Sequence, residues 1–533
     1  MHLSHWDWLI IGVYAVVVIT IGLRAGRRQH TSEDYFLAGR KLRWPFIGAS
    51  IYAANISTEH FVGLAGTAYA TGMAIGAFEW IAVFCLVPLI LIFLPLYIRT
   101  RIYTVPEFLE KRFDPRVRLL FSGFMVILSI VAKIAISLWA AALVFSNVLG
   151  WDRVTVIWVV GLVTALYTMK GGLGAVVYTD AIQTIVLLAA AVALTTIGLH
   201  HVGGFSGLHD KLDPAMFSMV RPAADPDLPW PGVFIGVFFV GSFYFGMDQV
   251  LVQRVFAAKN LNEGRLGAVF CAFLKTLNPL LIVMPGLIAK AYFDQHPLAN
   301  NDDAYPKLLA ELMPTGLLGL TIAGLTAALM GHLSATYNSI ATLVTRDFYL
   351  WFRPEATQER QILVGRIAVL TVFVLGACWA PIIGGYKSLF IYLQNISAYL
   401  MMPMAFIFFL GVFWKRINTP GVMACMLLSF VLCPVMLYNN RLEPEDQWFW
   451  FLNTPLLMPW LHRAMTVTAL CVAVMVGVSL FTARPAPEKL VNTTVDCLRG
   501  GIPDQPAVSW FKDYRLWLAV VCCGTAVMWY LMR

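Results

Sequence analysis

Apolar runs long enough to cross a bilayer recur from one end of this 533-residue chain to the other. A membrane-spanning helix needs about 20 mostly apolar residues, and by that measure there are roughly fourteen windows. They fall near 8–26, 44–72, 77–98, 119–149, 153–169, 175–199, 232–256, 264–293, 308–345, 362–384, 388–414, 419–438, 455–482 and 514–532. Soluble domains need polar surface, with about 45–50% apolar and about 25% charged residues. Here 59% are apolar and 13% charged, and mean hydropathy is +0.73. The pattern predicts an all-α membrane protein. It excludes a soluble enzyme, a disordered chain, a nucleic-acid-binding module and a protein with a single anchor.

The net charge of +8 is explained by membrane topology rather than by an anionic partner. With the N-terminus outside and the spans alternating, most Lys and Arg fall in inner loops, as the positive-inside rule requires. Arg24, Arg27, Arg28, Arg99, Arg101, Arg112, Lys415 and Arg416 are among them. Both termini are therefore expected on the outer side, in a multi-pass protein of the cell membrane. Met1 to Trp8 carries no Lys or Arg and no small-residue cleavage pattern, so the first span reads as retained. The longest inner loop, 483–513, contains Pro485, Pro487, Pro503 and Pro506 and reads as a surface linker. The nine cysteines lie mostly within apolar runs and none has CxxC spacing, so they read as small buried residues.

An ionisable residue at mid-membrane costs about 2.5–3.5 kcal/mol on insertion scales, so each needs a reason. His60, Glu79, Lys133, Asp180, Asp248, Lys275 and His332 qualify, and Asn55 and Gln394 add neutral hydrogen-bonding groups at depth. A single such residue is as readily explained by pairing between packed helices; for Lys133, to which no role is assigned, a snorkelling or helix-pairing lysine is the default. The set as a whole points to a shared water-filled cavity. Around Asn55, Ala53 to Ser57 suits an interrupted helix, whose freed carbonyls are hard oxygen ligands. A second interruption is expected within Gly241–Gln249, GSFYFGMDQ. Five spans separate the two, a spacing that suits two five-helix repeats of opposite orientation.

Several stretches resemble the sodium/solute symporter family, specifically its sodium–glucose cotransporter branch. They are DYFLAGR at 34–40, NISTEHFVGLAG at 55–66, FEW at 78–80, GGLGAVVYTDAIQT at 171–184, DQVLVQR at 248–254, YLQ at 392–394 and FWKRINTPG at 413–421. The resemblance implies a LeuT-type 5+5 inverted-repeat core with discontinuous helices, about 44–414. An extra helix and basic loop (1–43) precede it and extra helices (415–533) follow. It also implies import of a monosaccharide with a cation, Na+ above all, by alternating access, with no cofactor. The implied sugar site is Asn55, His60, Glu79, Lys275 and Gln394, with Tyr244 as an aromatic gate and Phe245 beside it. The residue chemistry agrees: carboxylate, amide, imidazole and ammonium groups suit hydroxyls that both donate and accept, and an aromatic face packs the C–H side of a ring.

For the cation, the family uses backbone oxygens at Ala53, Ile56 and Ala328 together with two hydroxyl side chains. This sequence has Gly331 and His332 at the hydroxyl positions. Glycine brings no side-chain oxygen, and an imidazole nitrogen is a poor ligand for a hard alkali ion. Asp180, which the family associates with cation handling, is retained, and Ser334 offers a nearby hydroxyl. Three readings stay open: Na+ in a rebuilt site, a protonated His332 in place of the ion with proton coupling, or uncoupled transport. Inositol or another small organic solute is the alternative substrate. An intramembrane enzyme finds no HExxH or GxSxG motif in its favour, and a non-transporting sugar receptor would lack any appended signalling domain.

Overall fold

The computed structural model describes residues 3–26, 31–384, 389–440, 442, 446–449, 452–454, 457–498 and 509–532. Of the loop residues named above, Arg27, Arg28, Pro503 and Pro506 lie outside them. Among the described residues there is no strand, only two isolated bridges. The helices are α1 (His5–Gly26), α2 (Trp44–Asn55), α3 (His60–Thr100), α4 (Pro115–Asn147), α5 (Arg153–Lys170), α6 (Gly172–Val202), α7 (Gly232–Gly246), α8 (Gln249–Phe256), α9 (Leu261–Tyr292), α10 (Leu317–Phe352) and α11 (Gln358–Ile383). They continue with α12 (Leu389–Phe413), α13 (Thr419–Asn439), α14 (Trp460–Phe481) and α15 (Tyr514–Leu531).

Eleven of the described helices are long and apolar enough to cross a membrane, or twelve if the bent pair α7–α8 is one span. The expected fourteen is not confirmed: the described apolar part of α1, His5–Ile21, is shorter than a span, and the windows 44–72 and 77–98 do not form two separate spans. The window 44–72 is cut at Ile56, which leaves α2 only 12 residues long. The windows on either side of Gly72 merge into the 41-residue α3. Gly72 divides that run, its φ of +82° being open to a residue without Cβ.

Both interruptions occur where the residues predict them. α2 ends at Asn55, and Ile56 is extended at φ −85°, ψ 121°. The second falls at Met247–Asp248, with α7 and α8 bent by 48°. Asp248 restarts the chain as an N-cap, its carboxylate accepting from the Val250 N–H at 2.9 Å. Asn418 caps α13 in the same way through the Gly421 N–H.

Without a hydrophobic drive between helices in lipid, close backbone approach carries much of the packing. α2 crosses α9 at Gly48 and Gly267, where a Cβ on Gly48 would lie 2.6 Å from the Gly267 carbonyl oxygen. α2 also packs on α6, and α5–α6 on α10, while α13 and α14 pack against α12 and α15 lies on α9. The broken helices are thus held inside the bundle rather than against lipid.

Candidate functional site

The first break redirects backbone groups. The Ile56 N–H still reaches Tyr52 O at 2.9 Å, but the Ser57 N–H turns to His60 Nδ1 at 3.4 Å. The Ala53 carbonyl is thereby released from its helical donor. The next carbonyl, that of Ala54, accepts a 2.6 Å hydrogen bond from His332 Nδ1 on α10.

A cavity of about 130 Å³ lies beside this break. Asn55, His60, Glu79, Tyr244, Lys275 and Gln394 all lie on its wall, contributed by α2, α3, α7, α9 and α12. Phe245 is there too, with the Lys275 ammonium 5.9 Å from its ring centre. Lys275 Nζ donates to Glu79 Oε2 at 2.6 Å, and Asn278 Nδ2 donates to the same oxygen. Tyr52 Oη in turn donates to Asn278 Oδ1 at 2.7 Å. Glu79 is 4% exposed and Lys275 2%, so the pair exchanges hydration for fixed partners. The Asn55 Oδ1 is buried without a hydrogen-bond partner.

The residues that the resemblance associates with a cation divide. Ala53, Ile56, Ala328 and Gly331 are buried behind the cavity, and only His332 reaches its wall. A Cβ on Gly331 would meet Gln183 Oε1 at 3.0 Å and Ala53 O at 3.4 Å, so the glycine is in close contact with both. A carbonyl oxygen only accepts, so His332 Nδ1 carries a proton. Its Nε2 is buried without a partner. A second N–H there would be an unmet buried donor, so the ring is neutral. Asp180 and Ser334 lie off the cavity. Asp180 accepts from Ser50 Oγ and stands 3.9 Å from Arg254 Nη2, while Ser334 Oγ donates to the Gly331 carbonyl at 3.1 Å.

Two charged wall residues went unassigned at the level of sequence. Lys133 on α4 forms a buried ion pair with Asp248 and lies 5.4 Å from the Tyr244 ring centre, so of the two defaults it is a helix-pairing lysine, and it lies on the cavity wall. Glu59 lies within NISTEHFVGLAG, between Thr58 and His60. An acid directly after a helix interruption was the available signal. Its Oε2 accepts from Ser137 Oγ at 3.0 Å.

Two broken helices that meet at a polar cavity are the architecture of secondary transporters built from inverted repeats. The solved structures agree on the fold. A substrate-bound, outward-open Na+-coupled sialic acid symporter superposes with a TM-score of 0.77 at 22% identity, covering 90% of this chain and 99% of that one. A nucleobase-cation-symport-1 family transporter reaches 0.51 at 15%, covering 87% and 99%.

The particular family follows from sequence. Residues 35–429 match the sodium:solute symporter family, and the chain belongs to it. It is similar to the zebrafish (Danio rerio) sodium/glucose cotransporter 4, at 36% identity over 92% of this chain and 80% of that one. It is also similar to the sheep (Ovis aries) sodium/glucose cotransporter 1, at 34% over 89% and 78%. The rabbit (Oryctolagus cuniculus) sodium/myo-inositol cotransporter 2 matches at 34% over 92% and 78%. The chain is accordingly a multi-pass membrane transporter, not an enzyme.

Proposed function

We propose that this protein imports a monosaccharide together with Na+ by alternating access, in the cell membrane and with both termini outside. The observation that carries the reading is the meeting of six polar or aromatic side chains from five helices on one cavity wall beside the helix breaks. The Glu79 carboxylate accepts sugar hydroxyls, while the Lys275 ammonium and the Asn55 and Gln394 amides donate to them. His60 Nδ1 already accepts from the Ser57 N–H, which leaves its other nitrogen as a donor. Tyr244 packs the apolar face of the ring. The family and the relatives named as sodium/glucose cotransporters support the sugar and the ion.

Coupling has a definite energetic consequence. One monovalent cation falling through 100 mV yields about 2.3 kcal/mol, and a tenfold concentration gradient adds about 1.4 kcal/mol. Together they support accumulation of the sugar by several hundredfold, whereas uncoupled transport supports none. The relatives named as sodium/myo-inositol cotransporters match at 34%, so a cyclic polyol is the second reading.

Reconstituted protein tests both. Labelled glucose or galactose is expected to accumulate in vesicles under an inward Na+ gradient, with myo-inositol as the competing arm. Indifference to all three solutes would overturn the substrate assignment. Uptake driven by a pH gradient alone, with no response to Na+, would overturn sodium coupling.

A further inference from the structure

We propose that the coupling cation binds at Glu59, in a site completed by Ser57, Ser137 and Asn55, rather than beside Gly331 and His332. The proposal rests on the sodium-coupled reading above and says where in this chain the ion sits.

Charge is the first argument. Among the described residues, six other carboxylates are buried; Asp7 accepts from the Gly316 and Gly319 N–H groups at 2.8 Å each, and four of the others each face a cationic side chain. Glu79 meets Lys275 at 2.6 Å, Asp248 meets Lys133, Asp347 meets Arg118 at 2.6 Å and Asp180 meets Arg254 at 3.9 Å. Glu59 is 8% exposed and meets none. Its nearest basic atom is His60 Nδ1, 3.8 Å from Oε1. The lone pair of that nitrogen accepts from the Ser57 N–H, so it carries no proton and brings no charge to the carboxylate. Both lysines on the cavity wall are committed to other acids, and His332 is neutral. A buried carboxylate without a counter-charge is costly, and a bound cation supplies the missing charge.

Ligand chemistry is the second. Ser137 Oγ lies 3.0 Å from Glu59 Oε2 and 3.0 Å from Ser57 Oγ, so two hydroxyl oxygens cluster at the acid. Asn55 Oδ1, on a side chain 4% exposed, is buried without a partner on the same cavity wall as Glu59. Carboxylate, hydroxyl and amide oxygens are the hard donors an alkali cation prefers, and the set contains no imidazole or thiolate. Ser57 belongs to the unwound link and Asn55 ends α2, so an ion here would join the halves of the broken helix to Ser137 on α4. The sugar wall shares Asn55, which gives a direct physical route from ion to substrate.

The position beside Gly331 and His332 offers less. Both side-chain hydroxyls are missing there, which leaves backbone carbonyls without a side-chain oxygen or a negative charge.

The test uses the full chain in proteoliposomes, with the initial rate of labelled hexose uptake measured against Na+ concentration, and radioactive Na+ binding measured on the purified protein. Glu59→Gln is expected to weaken apparent Na+ affinity by about tenfold or more, and Ser137→Ala and Ser57→Ala by smaller factors. His332→Ala is expected to leave the Na+ curve within about threefold of wild type. A wild-type Na+ curve in Glu59→Gln would overturn the site while leaving sodium coupling intact. Should Glu59→Gln fail to fold, unchanged Na+ curves in both serine variants would overturn it equally. If the wild-type protein itself ignores Na+ in uptake and binding, the sodium reading and the site fall together.

Discussion

Removing the Lys275 ammonium separates the structural from the functional role of the cavity's central ion pair. In Lys275→Met, Glu79 keeps only the Asn278 amide and remains almost wholly buried. Breaking a buried pair from one side costs about 3–5 kcal/mol, because the remaining charge is uncompensated. The single variant is therefore expected to melt well below wild type. Adding Glu79→Gln removes the orphaned charge. Replacing both partners of such a pair is neutral or stabilising by about 1–4 kcal/mol, so the double variant regains most of the lost melting temperature. Sugar binding does not follow. Each charge-assisted bond to a hydroxyl contributes about 1.5–3 kcal/mol, which is about 10–150-fold in affinity per bond. Thermal melting in detergent, equilibrium sugar binding and vesicle uptake on the same preparations make the comparison. A double variant with wild-type melting and wild-type uptake would refute the reasoning, because the pair would then be a helix staple with no part in substrate recognition.

Three further outcomes follow from the same geometry. Tyr244→Phe keeps the ring on the cavity wall and is expected to retain uptake within a few-fold, whereas Tyr244→Ala loses the packing face and raises the sugar KM by about tenfold or more; equal losses in the two would place the role in the hydroxyl instead. Lys133→Met leaves Asp248 buried without its partner and is expected to express poorly, with Asp248→Asn restoring folding in the pair; failure of that rescue, read by gel-filtration monodispersity, would count against a purely electrostatic role. Ser4→Cys, on a background lacking the exposed Cys378 and Cys523, is expected to react with a membrane-impermeant thiol reagent on intact cells; labelling only after permeabilisation would reverse the orientation.

Much of this protein is legible residue by residue. Hydropathy is local, so the long apolar runs identify a helical membrane protein before any helix is packed. The breaks are local too. Small and polar residues around Asn55, and Gly246 ahead of a capping Asp248, weaken the helix wherever they are placed. The wall residues Asn55, His60, Glu79, Lys275 and Gln394 stand out because each is polar in an apolar stretch, where lipid would penalise it.

The division of 44–72 and 77–98 into helices escaped the same reading, since it depends on how Ile56 and Gly72 turn the chain. Charge balance escaped it altogether. Lys133 and Asp248 are 115 positions apart and Lys275 and Glu79 are 196 apart. Such pairs exist only through the crossing of distant helices. Composition along the chain thus determined which groups must leave the lipid, because transfer free energy belongs to each side chain on its own. Packing alone decided which of those groups neutralise one another, because electrostatic attraction depends on distances that only the assembled bundle sets. That pairing engages Lys133 and Lys275, seats His332 on the Ala54 carbonyl, and leaves Glu59 facing the cavity without a counter-charge.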